Sequence, residues 1–431
     1  MTDSTARPDG LPAYIAVTAS YWAFMLTDGA LRMLVLLHFH TLGFSPVQLA
    51  YLFVLYEIAG VVTNLCAGWI AARFGLAATL YAGLGLQVLA LLALAQLDPG
   101  WALAASVVFV MLVQGASGVA KDLAKMSSKS AVKLLAPAAD GALFRWVALL
   151  TGSKNMVKGL GFLLGAALLA TVGFGWSVLG MAAFLGAILL AVLLAMPPGL
   201  PRGRKSARFA EVLPTSANVS WLSLARVFLF GARDVWFVVG IPIYFYAVLS
   251  DGTVSGNRAA FFLIGAFMAG WVILYGAVQA LAPRILRARS RPEADLVRAA
   301  RGWAGSLALV PAALALASVA AGQPQIWLTV TLVAGLLVFG AIFAINSSLH
   351  SYLILSFTGA DRVTMDVGFY YMANAAGRLL GTLLSGLTYQ IGGLSLMLGC
   401  AAAMVVCSAV AVGFLRPAGD QVPVAKDANP G

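Results

Sequence analysis

Residues 14–41 read YIAVTASYWAFMLTDGALRMLVLLHFHT, a run in which Asp28 and Arg32 are the only acidic or strongly basic side chains. A helix needs about 20 apolar residues to cross the hydrocarbon of a bilayer, so this run is long enough to span one. With its central charges it is too long and too polar for the apolar region of a cleaved leader. It is therefore expected to stay as the first span, behind the polar segment MTDSTARPDGLP. The rest of the chain has the same character. Of 431 residues, 61% are hydrophobic and 10% charged, against roughly 25% charged in soluble domains, and the mean hydropathy is +0.93. So few charges cannot coat a water-soluble body of this size, which makes lipid the natural solvent. The 45 glycines suit helices that approach one another closely in a bilayer.

Apolar runs between Gly, Pro and charge breaks predict spans near 14–41, 47–71, 77–97, 101–120, 146–170 and 176–196. After a polar connector containing PRGRKSAR come runs near 219–249, 259–282, 303–321, 326–348, 367–390 and 394–415. The expected organisation is a six-helix bundle over 1–196, a cytoplasmic linker over 197–218 and a second six-helix bundle over 219–431. Basic residues test the count, because a wrong number of spans scrambles the sides on which they fall. With both termini in the cytoplasm, twenty of the 27 Lys and Arg fall inside, including the Arg-rich segment 284–301, and only Arg258 falls outside. The other six, Arg32, Lys154, Lys158, Arg226, Arg233 and Arg378, lie within spans. The halves also echo one another: Asn155, Lys158 and Gly161 in span 5 match Asn374, Arg378 and Gly381 in span 11 after a one-residue insertion. The fold class implied is an all-α membrane protein of 12 transmembrane helices in two pseudo-two-fold halves, the architecture of major facilitator transporters.

The loop motifs of that superfamily are only partly present. Between spans 2 and 3, Gly68, Arg73 and Gly75 resemble its usual Gly, Asp-Arg, Gly pattern, but Ala72 replaces the Asp and Leu76 a basic residue. In span 4, Gln114-Gly115 has Met111 where drug/proton antiporters carry Arg, and Gly159, Gly161 and Gly165 of span 5 have no accompanying Pro. A drug/proton antiporter is therefore the less favoured reading.

Charges inside spans carry the functional signal. Each costs about 2.5–3.5 kcal/mol at mid-bilayer on insertion scales, so six cations need compensation. The acids within spans are Asp28, Glu57 and Asp234, which leaves a cationic surplus for an anionic ligand to neutralise. Arg32, Lys158, Arg233 and Arg378 fall near the midpoints of spans 1, 5, 7 and 11, and these four are the expected substrate ligands. Lys154 and Arg226 share helix faces with Lys158 and Arg233, forming ladders toward the midplane, and Asn155 and Asn374 complete the candidate set. Asp28 and Arg32, at i and i+4, are expected to pair in the alternative, structural reading. Asp234 is expected to find a partner other than adjacent Arg233, Lys158 and Arg378 to lack an acidic partner within a turn, and Arg226 either to reach the interface or to meet ligand. Arginine offers phosphate-like oxyanions a planar fork and lysine a mobile point charge. Asp28 and Glu57 are the candidates for proton coupling.

Lys121, Lys125, Lys129 and Lys133 recur every four residues, a stripe read as a lipid-headgroup anchor or a vestibule that concentrates anions. His38, His40 and His350 occur without metal-ligand or nucleophile spacing, no Walker A sequence is present, and Cys66, Cys400 and Cys407 fall in apolar runs. No cofactor, metal or enzymatic activity is expected. The net charge of +11 reads as topology rather than nucleic-acid binding.

Three segments carry a closer resemblance: YWAFMLTDGALRMLVLLHFHTLGFSP (21–46), GVAKDLAKMSSKSAVKLLAP (118–137) and LTGSKNMVKGLGFLLG (150–165). Through them, and most of the N-terminal half, the chain resembles the bacterial organoarsenical efflux permeases of the ArsJ type. That resemblance implies export of 1-arseno-3-phosphoglycerate from the cytoplasm across the inner membrane, conferring arsenate resistance. It also implies a functional partner, glyceraldehyde-3-phosphate dehydrogenase, which forms the adduct when arsenate replaces phosphate. The family supplies no binding residues to carry over, so the site rests on the charges. The same charges permit uptake or exchange of an organophosphate or phosphate. A non-transporting receptor or scaffold is the alternative from another class.

Overall fold

A computed structural model describes residues 11–98, 100–135, 142–196, 216–286, 292–358 and 363–416. Most of the 197–218 linker and both termini lie outside these residues. The described chain is helical: α1 (Leu11–Thr41), α2 (Pro46–Tyr51), α3 (Val54–Phe74), α4 (Leu76–Leu94), α5 (Leu103–Leu135), α6 (Ala142–Thr171) and α7 (Phe174–Ala195). They are followed by α8 (Ala217–Val235), a π-helical turn (Trp236–Gly240), α9 (Ile241–Leu249), α10 (Val254–Ile285), α11 (Glu293–Ala321), α12 (Ile326–Phe357) and α13 (Val363–Gly413).

Ten helical stretches among the described residues are long and apolar enough to cross a membrane. One of them, Asp366–Gly413, runs to 48 residues and is broken by the non-helical Gly392 and Gly393, so it forms two limbs. Gly393 sits at φ 59°, where a side chain is strained and glycine is not. The 30-residue α6 is long enough but carries Lys154 and Lys158, which lower its apolarity. Counting both limbs of α13 and adding α6 gives twelve long rods among the described residues. Their outer faces expose Trp176, Leu194, Leu309, Leu316 and Ile326, side chains suited to lipid rather than water.

Several spans depart from their sequence expectation. Span 2 is two helices: Ser45 caps α2 through a reciprocal box with Gln48, Pro46 opens it, and the chain turns at Leu52 before α3. Span 4 does not stop near residue 120 but continues to Leu135, so the lysine stripe lies on the membrane helix itself. Span 7 contains a π turn directly before Ile241-Pro242. A proline has no amide proton and crowds the preceding turn, and the widened turn accommodates it. The amides of Val239 and Gly240 both donate to Ser385 Oγ of α13 at 3.2 Å.

Within each half, the first and fifth rods meet backbone to backbone. A Cβ on Gly161 would lie 2.4 Å from Leu26 O, and one on Gly165 2.1 Å from Ala30 O. In the second half a Cβ on Gly377 would lie 2.2 Å from Val227 O, and one on Gly381 2.5 Å from Gly231 O. Both pairs of contacts are spaced by four residues on both helices, so they mark equivalent positions. Arg32 and Arg233 each stand two residues beyond the contact on α1 or α8. The same register corrects the echo read from sequence: Lys158, three residues before Gly161, matches Asn374, three before Gly377, and not Arg378. The sequence match had slipped by one helical turn, because Gly161 resembles Gly381 in sequence but packs as Gly377 does.

Candidate functional site

The central polar residues gather around two aromatic rings. Tyr56, on α3, is buried against α5, where a Cβ on Gly118 would lie 2.6 Å from Tyr56 O. That approach brings Lys121 Nζ to 4.0 Å from the Tyr56 ring centroid, while the guanidinium carbons of Arg32 and Arg378 stand 5.6 and 6.0 Å from it. Phe230, on α8, is the second centre. Arg226 and Arg233 lie 3.9 and 4.9 Å from its centroid. Cations attract the negative face of a ring, and more strongly once desolvated.

Four buried carboxylates hold most of these cations. Asp28 accepts from Tyr56 Oη at 2.5 Å through one oxygen and from Lys158 Nζ at 2.7 Å through the other. Two other helices engage Asp28 in this way, and the expected Asp28–Arg32 pair does not form. Arg32 turns instead to Glu57, donating through both Nη groups at 3.3 Å. Glu57, fully buried, accepts through its other oxygen from Arg378 Nε at 2.9 Å and from Arg378 Nη2. Lys158 and Arg378 have no acid within one turn of their own helices, and each finds one on another helix. Glu57 thus joins an arginine of the N-terminal half to one of the C-terminal half.

Asp234 takes Arg233 after all: Nε and Nη2 donate to Oδ1 at 2.6 and 2.5 Å. Neighbouring side chains leave a helix in different directions, but the guanidinium stem is long enough to fold back. The fourth carboxylate, Asp122, was not recognised in the sequence. It receives Lys125 Nζ at 2.6 Å, Thr63 Oγ1 at 2.9 Å and Asn64 Nδ2 at 3.3 Å. Lys121 and Lys125 therefore face the protein interior, and Lys121 is 5% exposed. For these two, the headgroup-anchor reading is corrected, because α5 turns that face toward α3. The side chains of Lys129 and Lys133 lie outside the described residues.

Arg226 is no interfacial residue either, being 5% exposed. It donates through Nε to Asn374 Oδ1 at 3.1 Å and through Nη1 to Ser347 O and Oγ at 3.2 and 3.1 Å. Asn155 Nδ2 donates to Gln279 Oε1 of α10 at 3.1 Å, tying the halves together. Lys154 is half-buried one turn before Lys158.

Among the described residues, Arg32, Lys121, Lys125, Lys158, Arg226, Arg233 and Arg378 thus face Asp28, Glu57, Asp122 and Asp234, seven cations against four anions. Including Lys154 and buried Asp366 leaves the difference at three. Toward the Thr41 end of α1, the core closes over this cluster with Phe39, Phe44, Phe53, Val238, Val239 and Ile243. There the His40 and Tyr246 rings meet at 4.9 Å, and Val47 N donates to Gln390 Oε1 at 3.2 Å. Among the described residues no group of three His, Cys, Asp or Glu is placed to hold a metal ion.

Three solved structures share this fold over nearly the whole chain. The nucleoside transporter NupG is 16% identical, covers 93% of this chain and 98% of its own, and has a TM-score of 0.65. A bacterial homologue of the iron transporter ferroportin, in an inward-facing state, is 14% identical with the same coverages and a TM-score of 0.66. A POT family transporter in complex with a thioalcohol-conjugated peptide is 14% identical, covers 94% and 97%, and has a TM-score of 0.70. No family model and no curated protein matches the sequence. At these identities the likeness shows the fold alone, an all-α fold that this chain shares with the three proteins.

Proposed function

We propose that this chain is a secondary transporter that moves a small, multiply charged oxyanion by alternating access, and that its solute is the organoarsenical 1-arseno-3-phosphoglycerate, exported from the bacterial cytoplasm. The observation that carries this reading is Glu57 held between Arg32 and Arg378 in a buried cluster with three excess positive charges among the described residues. Buried charges need partners, and a permanent structural network would balance its own. This one is balanced only when an anion arrives.

In this account Arg32, Lys158, Arg233 and Arg378 grip the oxyanions, with Lys154, Arg226, Asn155 and Asn374 along the approach. An incoming oxyanion takes Arg378 and Arg32 from Glu57, and Lys158 from Asp28. The two carboxylates released are then the groups able to take up protons. Exchanging the Glu57 bridge for a substrate bridge lets the two bundles, 1–196 and 219–431 with the linker 197–218 between them, rock about the site. The protein sits in the inner membrane with both termini cytoplasmic, as the distribution of Lys and Arg supports. The organoarsenical rests on the three ArsJ-like segments together with a site suited to an acyl arsenate at one end and a phosphate at the other. Glyceraldehyde-3-phosphate dehydrogenase is then the supplier of solute, with no physical contact required. The resemblance implies arsenate resistance as the physiological result.

The same charges support a second reading, organophosphate or phosphate exchange. Counterflow in proteoliposomes separates them: phosphate-loaded vesicles that drive organophosphate uptake favour the exchanger, whereas organoarsenical flux without phosphate counterflow favours efflux. Absence of any flux from folded, reconstituted protein supports a receptor or scaffold instead.

A further inference from the structure

Arg226 is the buried cation with no carboxylate within ion-pair distance among the described residues. Its Nε and Nη1 protons are taken by neutral groups, Asn374 and Ser347, and its Nη2 amino group makes no hydrogen bond among the described residues. Around it stand polar atoms that are equally unsatisfied among the described residues. His350, on α12 one turn beyond Ser347, is fully buried with neither Nδ1 nor Nε2 hydrogen-bonded. Tyr370, on α13, lies with its ring 4.9 Å from the Arg226 guanidinium and with a buried, unpartnered Oη. Ser223, one turn before Arg226 on α8, has an unpartnered Oγ. Ser351 Oγ lies beside the Tyr370 hydroxyl without completing a hydrogen bond to it, its own proton going to Ser347 O at 2.8 Å.

Orphaned donors in a core are rare, and they are costly unless something fills the gap. Here they converge on an uncompensated guanidinium and come from three helices of one half. We infer that Arg226, His350 and Tyr370 form a second oxyanion seat, separate from the Glu57 bridge, which takes the distal anionic group of the transported solute. Neutral imidazole N–H, phenol O–H and guanidinium N–H are all donors, the set that a carboxylate or phosphate accepts from.

Phe230 bounds the spacing. The Arg226 and Arg233 guanidinium carbons lie 3.9 and 4.9 Å from its centroid, so they stand no more than about 9 Å apart. A three-carbon chain with an anionic group at each end spans two guanidinium groups at that separation, while a solute with one anionic group occupies one seat only. This inference rests on the anion-transport reading and adds to it the requirement for two charged ends.

The test uses the full-length protein in lipid nanodiscs with two stable probes, 3-phosphoglycerate and glycerol 3-phosphate, which differ in the carboxylate. Wild type is expected to bind 3-phosphoglycerate at least tenfold more tightly. Arg226→Gln and His350→Leu are expected to cut that ratio below threefold, weakening 3-phosphoglycerate more than glycerol 3-phosphate. Tyr370→Phe keeps the ring beneath Arg226 and removes only the unpartnered hydroxyl, so its expected drop of threefold or more in the ratio does not depend on tolerance of larger changes. An unchanged ratio in Tyr370→Phe overturns the seat and makes it a pocket for internal water, while the anion reading stands. Equal weakening of both probes by all three variants also overturns it, as a purely structural effect. Wild type that binds neither probe removes the anion reading and the seat with it.

Discussion

Arg378, on α13, donates to Glu57 of α3 from across the bundle, through Nε at 2.9 Å and through Nη2. The other oxygen of the same carboxylate holds Arg32 at 3.3 Å. One acid therefore serves as the internal counter-ion of two arginines belonging to different halves. In the proposed cycle it stands in for substrate, and its substitution separates binding from stability. Glu57→Gln leaves both guanidinium groups without a charged partner, a loss of about 3–5 kcal/mol for a broken buried pair. The variant should melt well below wild type in buffer and regain much of the difference when phosphate is added. Wild type should respond less, because its own carboxylate competes. Equal phosphate effects on the two proteins would argue against competition.

Asp28 and Lys158 form the other contact that substrate must open, at 2.7 Å. Asp28→Asn alone strands the lysine and should destabilise by several kcal/mol, while Asp28→Asn combined with Lys158→Met removes the charge as well as its partner and should recover most of that loss. A double-mutant cycle on thermal stability reads the coupling directly. Additive losses would mean that the pair does not act as a unit.

Transport affinity should follow the same residues. Lys158→Ala and Arg378→Ala are each expected to raise the apparent Km for the transported anion at least tenfold, equivalent to about 1.4 kcal/mol or more of binding. Arg258→Ala, in the first turn of α10 and outside the cluster, should leave it within twofold. Unchanged affinity in both cluster variants would reassign the site.

Glycine packing allows a test that is independent of charge. Gly165→Ala places a methyl against Ala30 O, where the ideal Cβ has 2.1 Å, and the rods must separate. Overpacking of this kind costs about 1–3 kcal/mol. At Gly180, on α7, nothing lies within 4 Å of a Cβ, so Gly180→Ala should be neutral or slightly stabilising. The melting temperatures of the two variants check both expectations.

The architecture was legible in sequence because lipid imposes a coarse, repetitive code of long apolar runs, polar breaks and basic residues on one side. The charged positions were legible for the same reason, since an arginine in an apolar run stands out. Their pairings were not. Asp28 and Arg32 look like a pair at i and i+4, yet Lys158 and Tyr56 reach Asp28 from two other helices. Arg378 looks unpartnered because its acid lies 321 positions away in sequence. The inward turn of Asp122 and Lys125 was hidden for another reason: a lysine every four residues past Ala120 reads as an outward basic face, and only the packing of the extended α5 against α3 turns it inward. His350 carried no motif at all, and its significance comes from what surrounds it.

The central claim is tested most directly with inside-out vesicles containing this protein, supplied with arsenate, glyceraldehyde 3-phosphate, glyceraldehyde-3-phosphate dehydrogenase and NAD, with trapped arsenic as the readout. The account predicts accumulation that requires the complete mixture and disappears when the dehydrogenase is omitted. No accumulation with or without the dehydrogenase, from vesicles in which the protein is shown to be folded, would contradict it.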